Sequence, residues 1–101
     1  MGCKLLVSEL ADRDLNEIIG YIMYDLKSPD AAANLLDEIE TCYDNLKTNP
    51  LMYAKCSDMR LAQAGYRKAI IKNYLLIYRF EENLNTVKVA RIFYGGRNYG
   101  E

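Results

Sequence analysis

The chain has 101 residues, half of them hydrophobic, with 13 basic and 14 acidic side chains and no histidine. That apolar content excludes a disordered chain, and the absence of histidine excludes Cys–His catalysis; with three widely spaced cysteines, no CxxC and no histidine, a zinc site is not expected. The near-neutral balance argues against avid, non-specific nucleic-acid binding.

The charge is divided along the chain. Residues 1–54 carry four basic and ten acidic side chains, whereas residues 55–101 carry nine basic and four acidic. An acidic half beside a basic half marks a basic functional face. The apolar runs are too short to span a bilayer. The start, MGCKLLVSEL, lacks the apolar stretch and cleavage site of a signal peptide, and position 6 is Leu where a myristoylation motif needs Ser or Thr. A cytoplasmic protein with no membrane contact is expected, formed as a single domain over residues 1–101. Cys3, Cys42 and Cys56 are widely spaced and read as free thiols.

KLLV at residues 4–7 reads as a short first strand. Ser8 is an N-cap, and Glu9, Asp12 and Asp14 sit where a helix dipole favours negative charge. Ala11, Leu15, Ile18, Ile22 and Leu26 form one helical stripe running to about Lys27. Ser28, Pro29 and Asp30 start a second helix, with Ser28 as N-cap and Pro29 at the first helical position. Its stripe is Ala32, Leu35, Ile39, Cys42 and Leu46, and Asn49-Pro50 stops it. The short join makes an antiparallel helical hairpin over residues 8–48.

Residues 50–59 show no period and read as a loop. From Tyr66 onward β-branched and aromatic residues dominate. YRKAIIKN, YLLIYRF and TVKVARIFY read as three strands, the last two joined by the turn EENLN. In YLLIYRF both alternating faces are largely apolar, which predicts a central strand. The order strand–helix–helix–strand–strand–strand gives an α+β fold, with the hairpin packed on one face of a mainly antiparallel sheet.

Chemistry is concentrated in the strand region. Arg60, Arg67, Lys68, Lys72, Arg79, Arg91 and Arg97 interleave with Tyr66, Tyr74, Tyr78, Tyr94 and Tyr99. Such a sheet can hold phosphates and stack bases. The competing reading is a solvated face whose long side chains cover apolar surface. Gly95-Gly96 is not a nucleotide loop, because no helix follows it and the Lys-Ser/Thr ending is missing. It reads as a turn or kink that aims the tail ARIFYGGRNYGE.

These pieces resemble the RelE/ParE superfamily, the toxic half of type II toxin–antitoxin modules. SELADRDLNEIIGYI is similar to the family's first helix, and LKTNPLMY follows the second. YRKAIIKNYLLIYRFEENLNTVKVARIFYGGRN follows the family's YR…NYLIFYR…VRVLHGARD pattern. The resemblance implies a small cytoplasmic bacterial protein neutralised by an antitoxin encoded beside it. It implies either of two targets: RelE-like members cleave mRNA in the ribosomal A site, and ParE-like members block DNA gyrase.

The departures favour the ParE-like branch. RelE-like nucleases use a metal-free cluster of Arg, Lys, Tyr or His. One of their arginines lies three residues before the tyrosine that here is Tyr78, a position occupied by Leu75. Tyr94 stands where some relatives have His, and a phenol is a poor base at neutral pH. Arg97 does match an arginine of those nucleases, but their tail tyrosine would fall near or beyond Glu101. The leading expectation is a gyrase inhibitor with no catalytic residue or cofactor, engaging its target through Arg67, Arg79, Arg91, Arg97 and Tyr99. The alternative is a ribosome-dependent mRNA endonuclease. Arg67 and Lys68 would then neutralise phosphate, Arg97 would stabilise the transition state, and Tyr94 or Tyr99 would move protons. A third possibility is a non-toxic relative that only binds its partner. Structural roles compete for Arg79 and Arg91, which can pair with acids of the helical hairpin. An exposed apolar groove is expected to receive the antitoxin and, in its absence, to support a homodimer.

Overall fold

The computed structural model describes residues 2–95. Strand β1 (Lys4–Val7) leads into helix α1 (Glu9–Gly20), which continues as a π-helical turn over Tyr21–Asp25. Helix α2 (Pro29–Thr48) completes the hairpin. A short helix α3 (Met59–Gln63) precedes β2 (Tyr66–Ile71), β3 (Tyr74–Glu81) and β4 (Thr86–Tyr94). The sheet order is β1-β4-β3-β2. β2–β3 and β3–β4 are antiparallel, and β1 joins β4 in parallel. This is the expected α+β arrangement, and β3 is a central strand as both its apolar faces require.

The helices follow from local signals. Ser8 Oγ accepts a hydrogen bond from the Ala11 N–H at 3.0 Å, satisfying one of the first-turn donors. The five residues of the α2 stripe, Ala32, Leu35, Ile39, Cys42 and Leu46, are all buried. They meet Ala69, Ile71, Leu76, Tyr78, Val87, Val89 and Ile92 of the sheet in one core. Removing a side chain such as Leu35 from that core would cost about 2–5 kcal/mol.

Three details differ from the sequence expectation. The first helix does not keep one stripe to Lys27. An N–H to C=O bond of 3.0 Å from Leu26 back to Tyr21 spans five residues, and this wider turn rotates the register. Leu26 is therefore 56% exposed instead of buried. Ser28 precedes α2 but its side chain makes no capping bond; Pro29, which has no N–H to satisfy, starts the helix. The stretch after Pro50 is a loop as far as Asp58, as expected, but the short helix α3 that follows it was not anticipated. Residues Ala54 and Cys56 bond to the β2 edge, and Asp58 caps α3 through the Leu61 N–H at 3.1 Å.

Two glycines have steric reasons. Gly65 ends α3 with φ +90, a left-handed conformation that costs other residues more. A Cβ on Gly95 would lie 2.9 Å from the Asn73 carbonyl oxygen, which accepts the Gly95 N–H at 2.6 Å. Gly95 is thus needed for close approach to the β2–β3 turn.

Among the described residues, no helix is long and apolar enough to cross a membrane.

Candidate functional site

The helices cover the sheet face that carries Leu76 and Tyr78. Side chains alternate along a strand, so the pairing register defines the other face. Three cross-strand rows run over β2, β3 and β4 there: Tyr66–Arg79–Lys88, Lys68–Ile77–Arg91 and Ile70–Leu75–Phe93. Leu75 and Ile77 form an apolar floor, 8% and 4% exposed. Four cations and two aromatic rings surround it.

Most of those cations have carboxylate partners in the chain. Arg79 is ion-paired with Glu81, and its guanidinium lies 5.6 Å from the centre of the Tyr66 ring. Lys88 Nζ is 3.9 Å from the same Glu81 carboxylate. Arg91 donates to Asp14 of α1 through Nε at 2.8 Å and Nη2 at 3.0 Å, and lies 4.8 Å from the Phe93 ring centre. The hydrogen bond to Asp14 holds the Arg91 pKa above its ordinary value, so its charge is fixed. Lys68 differs: its ammonium donates to the neutral Ser57 hydroxyl at 3.0 Å.

Asp14 reaches β4 because β1 is short. β1 pairs with β4 only as far as Val89, leaving the next residues of β4 without a strand neighbour on that side. Helix α1 takes over there. Ser8 Oγ donates to the Ala90 carbonyl at 2.8 Å, and Asp14 accepts the Ile92 N–H at 3.0 Å. The register shift between Ile77 and Tyr78 in the β3–β4 ladder lies beside this junction.

Next to it, a groove of about 740 Å³ opens between the π-helical turn and the ends of β3 and β4. Tyr21, Leu26, Tyr74 and Tyr94 contribute apolar surface, while Asp14 and Glu17 contribute acid. Tyr74 and Tyr94 pack edge to face with centres 5.8 Å apart. Burial, then Tyr94 and Tyr21, push the Tyr74 phenol up, so it remains protonated at neutral pH.

The family described as "ParE toxin of type II toxin-antitoxin system, parDE" matches residues 5–99. The chain belongs to this family. Two solved structures share the toxin's fold. The toxin–antitoxin complex RelBE2 from Mycobacterium tuberculosis superposes with a TM-score of 0.66 at 23% identity, covering 93% of this chain and 99% of that one. The chromosomal ParDE system from P. aeruginosa superposes with a TM-score of 0.71 at 17% identity, covering 91% and 95%. No curated protein sequence matches the chain.

The toxin's sequence-predicted residues do not form one cluster. Lys68, Arg79 and Arg91 share the open face. Arg67 belongs to the other face, opposite Tyr78. Its guanidinium donates to the Tyr53 carbonyl at 2.7 Å, tying down the loop after α2. Tyr94 lies in the groove, one row beyond Phe93. Arg97 and Tyr99 lie outside the described residues. The pairing anticipated for Arg91 with the helical hairpin is present, whereas Arg79 finds its acid two residues along its own strand. Sequence reasoning did not single out Glu81, Lys88, Phe93 or the role of Asp14. Glu81 and Lys88 were legible as same-face neighbours of Arg79 once the β3–β4 turn was placed. The reach of Asp14 to β4 depends on the parallel β1 pairing, which no local pattern announces.

Proposed function

We propose that this toxin is ParE-like, inhibits DNA gyrase in the cytoplasm by binding it, and is neutralised by a cognate antitoxin. The observation that carries this reading is the occupancy of the arginines. Arg79 and Arg91 are each held between a carboxylate of the same chain and an aromatic ring. A protein surface can dock beside guanidiniums so held with their pairs intact, whereas capture of a nucleic-acid backbone requires each existing pair to be broken. Leu75 offers no charge where related nucleases use an arginine, and the Tyr74 phenol, pushed up by burial, is harder to ionise. The antitoxin finds an apolar landing place in the groove of Tyr21, Leu26 and Tyr94. The two structural neighbours are themselves solved as toxin–antitoxin systems. The same groove supports a homodimer of the free toxin.

A second reading, a ribosome-dependent mRNA endonuclease, is favoured by Lys68, whose partner Ser57 is neutral and leaves its charge available to a phosphate. One pair of assays separates the two. Purified toxin is expected to block gyrase supercoiling and to leave ribosome-bound mRNA intact. Cleavage of A-site mRNA with normal supercoiling would select the endonuclease.

A further inference from the structure

The row Tyr66–Arg79–Lys88 lies at one end of the open face. Arg79 and Lys88 are directly opposite each other across β3 and β4. Like charges in that position repel. Glu81, two residues beyond Arg79 on the same face, reaches both of them, ion-pairing with Arg79 and lying 3.9 Å from Lys88. The Arg79 guanidinium held in this pair also lies 5.6 Å from the centre of the Tyr66 ring. A single carboxylate thus occupies two cations and, through one of them, an aromatic surface. A row of cations beside an aromatic ring is what a single-stranded nucleic acid needs.

We propose that Glu81 is a specificity-determining residue that excludes polyanionic strands from this end of the face. This rests on the reading of the face as a protein-binding surface and assigns its selectivity to one side chain. A strand of RNA approaching the row meets the Glu81 charge, and it gains the two cations only by displacing that carboxylate. A protein surface presents isolated carboxylates and apolar groups, so it can dock over the Leu75 and Ile77 floor with the Arg79–Glu81 pair intact. Simple relief of repulsion between Arg79 and Lys88 is a structural role that Glu81 fills at the same time. RNA affinity separates the two roles.

The test uses the full chain and a fluorescent uridine oligomer at low salt, with the wild type, Glu81→Gln, Arg79→Gln and the double variant. Glu81→Gln is expected to bind the oligomer about tenfold more tightly than the wild type, the factor expected from one gained charge-assisted contact. Its salt dependence should steepen by about 0.7 for each phosphate newly neutralised. Arg79→Gln alone should leave RNA binding unchanged, and adding it to Glu81→Gln should cancel most of the gain. A folded Glu81→Gln protein that binds RNA no better than the wild type would overturn the proposal. So would a loss of RNA binding on Arg79→Gln alone, an arm that remains decisive if Glu81→Gln does not fold. Wild-type gyrase inhibition is scored separately: if it is absent while Glu81→Gln gains RNA affinity, the gyrase reading fails and the role of Glu81 stands.

Discussion

Asp14 and Arg91, 77 residues apart in sequence, share two hydrogen bonds at 2.8 and 3.0 Å, and the same carboxylate accepts the Ile92 N–H at 3.0 Å. The carboxylate joins the first helix to the last strand where β1 has run out. Asp14→Ala removes both charge-assisted bonds and orphans a backbone donor. The Arg91 side chain is 40% exposed, so solvent screening reduces the loss. We expect a fall in stability of about 1–2 kcal/mol, read as a lower urea midpoint at constant slope. Asp14→Asn keeps an acceptor for Ile92 and should lose less. An unchanged midpoint for Asp14→Ala would show that the clamp does not stabilise the fold.

Gly95 is fixed by a steric limit. Its missing Cβ would stand 2.9 Å from a backbone oxygen of the β2–β3 turn, and backbone cannot yield as a flexible side chain can. Gly95→Ala should lower the melting temperature, at a cost of about 1–3 kcal/mol for forcing the turn apart. A melting temperature equal to the wild type would refute the close approach.

Lys72 sits in the two-residue turn between β2 and β3 with φ 54. A side chain in this left-handed region costs about 1–2 kcal/mol, while glycine adds about 0.5–1 kcal/mol of unfolded-chain entropy. Lys72→Gly is therefore expected to stabilise the toxin by about 0.5–1 kcal/mol in thermal unfolding. A clear destabilisation would mean that the lysine side chain has a role of its own.

Alkaline pH should unfold the protein. Burial pushes the Tyr78 phenol up to about 12 from 10, and its hydroxyl donates to the Pro50 carbonyl at 2.8 Å. Burial, then Cys42 and Asp12, push Tyr43 up to about 12 as well. A raised folded-state value means the folded protein holds these protons longer than the unfolded chain. The contribution is complete below pH 10 and is lost as pH rises from 10 to 12. Melting temperature should fall steeply across that window, and tyrosinate absorbance should appear together with unfolding. Tyr78→Phe, which leaves the Pro50 carbonyl without this donor, should cost about 1 kcal/mol at neutral pH.

Arg97→Ala addresses the tail. From its sequence the tail is expected to take part in target binding and little in folding, so losing this side chain should change stability by about 0.5 kcal/mol or less. Its planar fork suits a carboxylate or phosphate on a target. Growth inhibition should weaken while the melting temperature stays within about 2–4 °C of the wild type, as such a loss produces. Full toxicity of the variant would remove Arg97 from the target-binding set.

Much of this architecture was legible because one period dominates each segment. The α2 stripe is a clean 3.6 repeat between Pro29 and the Asn49-Pro50 stop, and all five of its apolar positions are buried. YLLIYRF alternates with two apolar faces, which only a central strand can bury. The misses arise where a non-local contact overrides the local pattern. Leu26 keeps the helical spacing, yet the π-helical turn before it rotates it outward. Arg67 belongs to a basic run beside Lys68, but strand alternation sends the two side chains to opposite faces, and the Tyr53 carbonyl takes Arg67. The arginines of the site were visible as residues. Their partners were not, because Asp14 meets Arg91 only after β1 has docked.

The parallel union of β1 with β4 also orders events during synthesis. Lys4 faces Thr86 and Val7 faces Val89, so the earliest strand to emerge waits for the last. Translation proceeds from the N-terminus, and a partial chain offers α1 and α2 without most of the sheet that should cover their apolar stripes. The arginine-bearing face is likewise unfinished until β4 has paired with β3. The toxin therefore presents this face only after β4 has been made, not progressively as the earlier strands emerge. That delay gives a partner made alongside it time to be present before the face is finished.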